Sequence, residues 1–89
     1  MAKSTERVVY LNGEIVPESQ ARVSIFDRGF RWGDGIYEVE RTFNGQIFML
    51  KEHIDRMYGS LRYTHIDPGL TKEEMTQAIL QVVEANRHL

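Results

Sequence analysis

Two Asn-Gly dipeptides constrain the fold of this chain more than any other feature. Asn12-Gly13 lies between the apolar runs of RVVYLNGEIVPES, and Asn44-Gly45 separates IYEVERTF from QIFML. Asn-Gly is the preferred pair for a two-residue type I′ turn, because both central residues must adopt a positive φ. The sequence therefore predicts two β-hairpins. Pro17 has no amide hydrogen to donate to a neighbouring strand, so it should end the second strand of the first hairpin or lie on its edge.

Two helices are predicted after the hairpins. KEHIDRMYGSLRYTHI repeats apolar residues at spacings of three and four, and Asp67-Pro68-Gly69 should stop that helix. Thr71, with Glu74 three residues later, predicts a capping box at the start of the last helix. This order predicts an α+β domain. The apolar stripes consist of Ile54, Met57, Tyr58, Leu61 and His65 on the first helix and of Met75, Ala78, Ile79, Val82 and Val83 on the second.

The composition narrows the classes of function. With 89 residues, 42% apolar and 27% charged, the chain suits one small globular domain. A net charge of −2 without a basic block gives no electrostatic case for binding nucleic acid or an anionic membrane. There is no cysteine, signal peptide or membrane-spanning run, so we expect a cytoplasmic protein without disulfides. The three histidines show no metal-ligand spacing, and no metal site is expected.

The strand predicted from Ile36 onwards presents one chemically distinctive face. Because side chains alternate along a strand, Tyr37, Val39 and Arg41 should share one side. A small acid would fit there: the arginine pairs with a carboxylate, the tyrosine donates a hydrogen bond and the valine sets the width. The alternative is an edge strand with a half-buried tyrosine and a solvated or locally paired arginine. The opposite side should carry Glu38, Glu40 and Thr42.

His53 and Arg56 project from nearby faces of the first predicted helix. Arg56 could reach a phosphate or a carboxylate outside the helix, or it could pair with Glu52 on a solvated face. His53 is expected to contact local backbone or a carboxylate and not a metal ion. None of the lysines lies in an apolar run that would lower its pKa, so no catalytic residue is expected in this chain. They are Lys3, Lys51 and Lys72.

Three motifs in this order, LNG, DRGFRWGDGIYE and HIDRMYGS, carry a family resemblance. From about Val9 to the last helix, the chain resembles the small N-terminal domain of fold-type IV pyridoxal-phosphate enzymes, the class IV aminotransferases. GDGIYEVER is most similar to the D-amino-acid aminotransferase branch. Branched-chain aminotransferases, (R)-selective amine transaminases and aminodeoxychorismate lyases share the layout. Branched-chain members usually have Phe-Glu-Gly at 37–39, whereas an arginine at 41 is familiar among them.

The resemblance implies a role for several side chains. Arg56 would bind the phosphate of pyridoxal 5′-phosphate. Tyr37, Val39 and Arg41 would line the substrate side of the pocket, and Trp32 would lie near its mouth. The implied reaction is transamination between an amino acid, with D-amino acids favoured, or an amine and a 2-oxo acid, in a homodimer.

The resemblance also implies that the chemistry lies outside this chain. In the family, the Schiff-base lysine and the glutamate that pairs with the pyridine nitrogen belong to a larger second domain. We therefore expect residues 1–89 to form the small domain, the large catalytic domain to be absent, and the chain alone to be inactive. Two other readings stay open at this stage: a stand-alone module that binds small acids, and a structural dimerisation domain.

Overall fold

The computed structural model describes residues 6–88. Two antiparallel strand pairs precede two long helices, which confirms the predicted α+β class. Within this range, no helix has both the length and the apolar character needed to cross a bilayer. The elements in chain order are β1 (Val8–Leu11), β2 (Glu14–Pro17), a 3₁₀ turn (Glu18–Gln20), α1 (Arg28–Trp32), β3 (Thr42–Phe43), β4 (Gln46–Ile47), α2 (Leu50–Thr64) and α3 (Lys72–Ala85).

Both Asn-Gly pairs form the predicted turns. In the first hairpin, Asn12 and Gly13 have φ angles of 51° and 89°. In the second, Asn44 and Gly45 have φ angles of 52° and 78°. Two consecutive positive φ angles are the signature of a type I′ turn, whose twist matches that of the flanking strands. As predicted, β2 ends at Pro17.

The second hairpin is much shorter than predicted. β3 contains only Thr42–Phe43, so the strand expected over 36–41 is wrong as a paired strand. The last ladder contact is the hydrogen bond that the amide of Phe48 donates to the carbonyl of Arg41, at 2.7 Å. The chain then turns through Met49, which has a φ of 54°, directly into α2. Residues 36–41 therefore have no opposing strand among the described residues, although their pattern suits one.

Helix α2 ends one turn before the Asp-Pro-Gly sequence that was expected to stop it. His65 adopts the left-handed conformation, with a φ of 58°. Its amide donates to the carbonyl of Arg62 at 3.3 Å, and the amide of Ile66 donates to the carbonyl of Leu61 at 3.0 Å. These two bonds form a Schellman motif, which terminates the helix after Thr64. His65 is consequently exposed, and its predicted place at the end of the apolar stripe is wrong.

Helix α3 begins with the predicted capping box. The amide of Glu74 donates to Thr71 Oγ1 at 3.1 Å, and the amide of Thr71 donates to Glu74 Oε1 at 2.8 Å. Each side chain thus satisfies a backbone amide that the first helical turn leaves without a partner. The predicted stripe is shielded from solvent: Ala78 is buried, and Met75, Ile79, Val82 and Val83 are half-buried.

The described residues divide into two compact units. The first unit comprises residues 6–23 and 77–88. Within it, the side-chain amide of Asn86 binds both backbone groups of Val8: Oδ1 accepts from the amide at 2.8 Å, and Nδ2 donates to the carbonyl at 3.0 Å. The first strand is therefore joined to the residues that follow α3.

The second unit comprises residues 24–76 and contains every predicted site residue. Ile54 and Leu61 of α2 are its buried apolar residues. The Tyr58 hydroxyl donates to the carbonyl of Leu70 at 2.6 Å. Lys72 Nζ binds Asp55 at 3.0 Å, so the first turn of α3 is fixed to α2.

Candidate functional site

Segment 36–41 keeps the predicted alternation of exposure although it lacks a strand partner. An extended backbone directs successive side chains to opposite sides whether or not it is paired. Tyr37, Val39 and Arg41 are exposed, with 88% of Tyr37 accessible. The intervening residues are half-buried. They are Ile36, Glu38 and Glu40.

Glu38 forms a bidentate ion pair with Arg56 of α2. Arg56 Nε donates to Glu38 Oε2 at 2.9 Å, and Nη2 donates to Oε1 at 2.5 Å. The Glu38 side chain is 10% exposed, whereas that of Arg56 is 64% exposed. The alternative pairing of Arg56 with Glu52 is therefore wrong, because the arginine binds a carboxylate 18 residues away.

His53 completes a three-residue cluster with this pair. Its Nδ1 lies 2.9 Å from Glu38 Oε1 and 3.0 Å from Arg56 Nη2. A protonated Nδ1 donates to the carboxylate, whereas an unprotonated Nδ1 accepts from the guanidinium. Both arrangements hold the imidazole against the ion pair. The prediction that His53 contacts a carboxylate is confirmed.

The contacts within the cluster shift the pKa values of Glu38 and Arg56 towards their charged forms. Hydrogen bonds from Arg56, followed by that from His53, lower the pKa of Glu38 from 4.5 to about 2. The hydrogen bond to Glu38 raises the pKa of Arg56, and the nearby charge of Glu40 adds to this effect. Both members of the ion pair are therefore charged at neutral pH. Glu40 Oε1 is buried and has no hydrogen-bond partner within residues 6–88.

Arg56 has a second edge that can bind an anion. Glu38 occupies the edge formed by Nε and Nη2. For Nη1, the described part of the chain provides no hydrogen-bond partner. A guanidinium carries five N–H donors in a planar fork, which matches the oxygens of a phosphate or carboxylate. The donor set at Arg56 therefore fits a phosphate group.

Trp32 lies at the last position of the short helix α1. Asp27 caps this helix by accepting a backbone amide hydrogen bond at 2.9 Å, and Gly33 ends it with a φ of 66°. The guanidinium of Arg31 lies over the indole of Trp32, 5.0 Å from the ring centroid, and 5.9 Å from the ring centroid of Phe26. Trp32 is 70% exposed. It is available for contact with a ligand or with another protein surface.

Among the predicted site residues, Tyr37, Val39 and Arg41 share one exposed face of a segment, but across the described residues Arg56 forms no hydrogen bond with this face. The hydrogen bonds of Arg56 involve Glu38 and His53, and within residues 6–88 none of them involves the exposed face of segment 36–41. The sequence interpretation missed Glu38 as the partner of Arg56. The available signal was the alternation itself, which separated Glu38 from Tyr37 and its neighbours.

Comparison with known proteins identifies a clear similarity. Residues 35–88 match the sequence profile of the family described as amino-transferase class IV. A putative branched-chain-amino-acid aminotransferase of Methanocaldococcus jannaschii is 50% identical over 78 residues, which cover 88% of this chain. A D-alanine aminotransferase of Staphylococcus haemolyticus is 37% identical over 78 residues, also 88% of the chain. One of Bacillus licheniformis is 39% identical over 79 residues, or 89% of the chain.

The chain covers only part of these relatives. It spans 27% of the M. jannaschii protein and 28% of each of the two D-alanine aminotransferases. The profile match, in contrast, covers more than half of the chain and includes Tyr37, Arg41, His53 and Arg56.

Proposed function

This chain belongs to the class IV aminotransferase family, and we propose that it is the N-terminal small domain of a pyridoxal-phosphate-dependent aminotransferase. The reaction is transfer of an amino group between an amino acid or amine and a 2-oxo acid. The family match over residues 35–88 is the observation that carries this proposal. The larger catalytic domain, with the lysine that binds the cofactor, would belong to the part of the relatives that this chain does not cover.

We assign the binding of the cofactor phosphate to Arg56. The support is its exposed guanidinium, whose Nη1 is without a hydrogen-bond partner in the described part of the chain. A contact of Nη1 with phosphate combines charge with directional hydrogen bonds. When bound, pyridoxal phosphate supplies an electron sink for the reacting carbon of the substrate. Arg56 contributes binding and orientation.

We assign the substrate wall to Tyr37, Val39 and Arg41. All three are exposed and occupy alternate positions of one segment. Arg41 would pair with the substrate carboxylate, Tyr37 would donate a hydrogen bond, and Val39 would limit the width of the pocket. Trp32, exposed at the end of α1, would lie near the entrance.

Two substrate classes have specific support. The sequence GDGIYEVER favours D-amino acids, and D-alanine aminotransferases are among the similar proteins. Branched-chain amino acids are favoured by Arg41 and by the 50% identity to the M. jannaschii protein. The turnover of D-alanine, L-leucine and (R)-1-phenylethylamine by the full-length enzyme, each with 2-oxoglutarate, decides between these classes. Absence of turnover with every one of these three amino donors would contradict the proposal that the protein is an aminotransferase.

We propose that other parts of the protein cover the exposed aromatic residues of the second unit. A surface with many large apolar side chains is typical of an interaction site. The remaining length of the relatives provides a large domain as one partner, and a second subunit of a homodimer provides another. The exposed residues include Phe26, Phe30, Trp32, Phe43 and Phe48.

The role of Arg56 is tested by Arg56→Gln in the full-length protein. Loss of a charged hydrogen-bond donor to phosphate should weaken pyridoxal-phosphate binding by about 10- to 100-fold. Fluorescence titration of the apoenzyme measures the dissociation constant. Arg62→Gln removes the same charge from an exposed position of the same helix and should leave the constant unchanged. Equal affinities of Arg56→Gln and the parent would contradict the assignment.

A further inference from the structure

Glu38 differs from the other paired carboxylates of the described residues in its enclosure. Its side chain is 10% exposed, whereas the acidic partners in the remaining ion pairs are 37% to 71% exposed. It also contacts two side chains: it accepts from Arg56, and its Oε1 lies 2.9 Å from His53 Nδ1. An enclosed, bidentate carboxylate restricts an arginine far more than a solvated surface partner does.

The geometry of the ion pair divides the guanidinium into two edges. Glu38 binds Nε and Nη2, at 2.9 Å and 2.5 Å, and leaves Nη1 without a partner among residues 6–88. An unrestrained arginine samples many rotamers, and the freedom that it loses on binding reduces its affinity for a ligand. An arginine already held at one edge loses less rotamer freedom when it binds a ligand.

A carboxylate next to an anion-binding arginine also has an opposing effect. Its negative charge repels a phosphate, so removing the charge would strengthen phosphate binding if repulsion dominated. Repulsion between charges on opposite sides of an exposed guanidinium is screened by solvent and salt. The restraint on Arg56 acts at hydrogen-bond distance and is not screened in this way. The two effects predict opposite signs for the same substitution.

We propose that Glu38 is a positioning residue, which holds Arg56 by its Nε and Nη2 atoms and thereby presents the Nη1 edge to the cofactor phosphate. This inference rests on the proposed function, in which Arg56 binds that phosphate. His53 supports the arrangement by contacting both members of the pair.

The test is Glu38→Gln in the full-length apoenzyme, with pyridoxal phosphate and pyridoxal titrated in parallel. The amide has nearly the same shape but accepts hydrogen bonds without a charge. We expect pyridoxal-phosphate affinity to fall about tenfold, and pyridoxal affinity, which involves no phosphate contact, to change little. Inhibition of reconstitution by inorganic phosphate should weaken by a similar factor. A general structural defect would lower the affinities for both vitamers.

The matched control is Glu52→Gln. It removes the same charge from an exposed position in the first turn of α2, four residues before Arg56. The control should keep the pyridoxal-phosphate affinity of the parent. A more conservative variant, Glu38→Asp, retains the charge but shortens the side chain, and it should also lose affinity because it cannot keep both bonds in place.

The outcomes distinguish the positioning role of Glu38 from the phosphate-binding role of Arg56. Tighter or unchanged pyridoxal-phosphate binding in Glu38→Gln, with Arg56→Gln weakened, overturns the positioning role and leaves the proposed function intact. Unchanged binding in both variants contradicts the phosphate assignment of Arg56 itself. If Glu38→Gln does not fold, Glu38→Asp decides: parental affinity for both vitamers overturns the positioning role, and a loss confined to pyridoxal phosphate supports it.

Discussion

His65 adopts a backbone conformation that glycine usually occupies. It follows the last residue of α2 with φ and ψ of 58° and 34°, and its amide and that of Ile66 close the Schellman motif. The left-handed region costs a non-glycine residue about 1–2 kcal/mol, because Cβ approaches the following carbonyl oxygen. The imidazole is exposed and makes no hydrogen bond within residues 6–88 that would offset this cost.

Replacing His65 with glycine should stabilise the protein. The relief of backbone strain exceeds the extra entropy of glycine in the unfolded chain, so we expect a gain of about 0.5–1 kcal/mol. Chemical denaturation of the full-length protein measures the change. The control is Tyr63→Gly, an exposed position inside α2, which should lose about 0.5 kcal/mol because glycine is a poor helix former. A destabilised His65→Gly protein would contradict the strain argument.

At the scale of elements, the features determined by neighbouring residues could be predicted from the sequence. The two type I′ turns and the Thr71–Glu74 capping box depend on residue pairs no more than three apart. The absence of a strand partner for residues 36–41 could not be predicted, because an alternating pattern does not specify whether another strand lies beside it. The Glu38–Arg56 ion pair joins residues 18 apart, and helical spacing offered Glu52 as a nearer candidate. Predicting the site required knowledge of which segment packs against α2.

The capping box provides a test at this scale. Thr71→Ala removes the oxygen that accepts from the amide of Glu74, and we expect the free energy of unfolding to fall by about 1 kcal/mol. Thr71→Ser keeps the hydroxyl and should stay close to the parent. Chemical denaturation of the two variants gives the comparison. Equal losses for alanine and serine would show that the methyl group, and not the hydrogen bond, stabilises the start of α3.

For the molecule as a whole, the distribution of apolar residues points to a partner surface. The described residues contain three buried apolar residues, Ile54, Leu61 and Ala78. Between residues 23 and 48, by contrast, many large apolar side chains are exposed, among them Phe26, Phe30, Trp32 and Val39. So large an exposed apolar area is unusual for a protein that functions alone.

The isolated chain should therefore associate in solution. We expect the average mass from sedimentation equilibrium to rise with concentration in the micromolar range. A double variant, Phe30→Ser with Trp32→Ser, should weaken this association. Tyr63→Ser, which removes an exposed aromatic residue from α2, should have a smaller effect. A chain that stays monomeric at all concentrations would contradict the inference that another protein surface buries its exposed aromatic residues.

The side-chain amide of Asn86 affects the order in which parts of the molecule can fold. Its two bonds to Val8 close a loop of 78 residues, so the first unit is made from the two ends of the described chain. During synthesis, residues 24–76 emerge from the ribosome as one uninterrupted stretch, and their contacts can form at once. The first hairpin is synthesised before that stretch, but its edge can bind Asn86 only after residues 24–76 have been made. The segment that carries Glu38 and Arg56 can thus be folded before the two parts of the first unit meet.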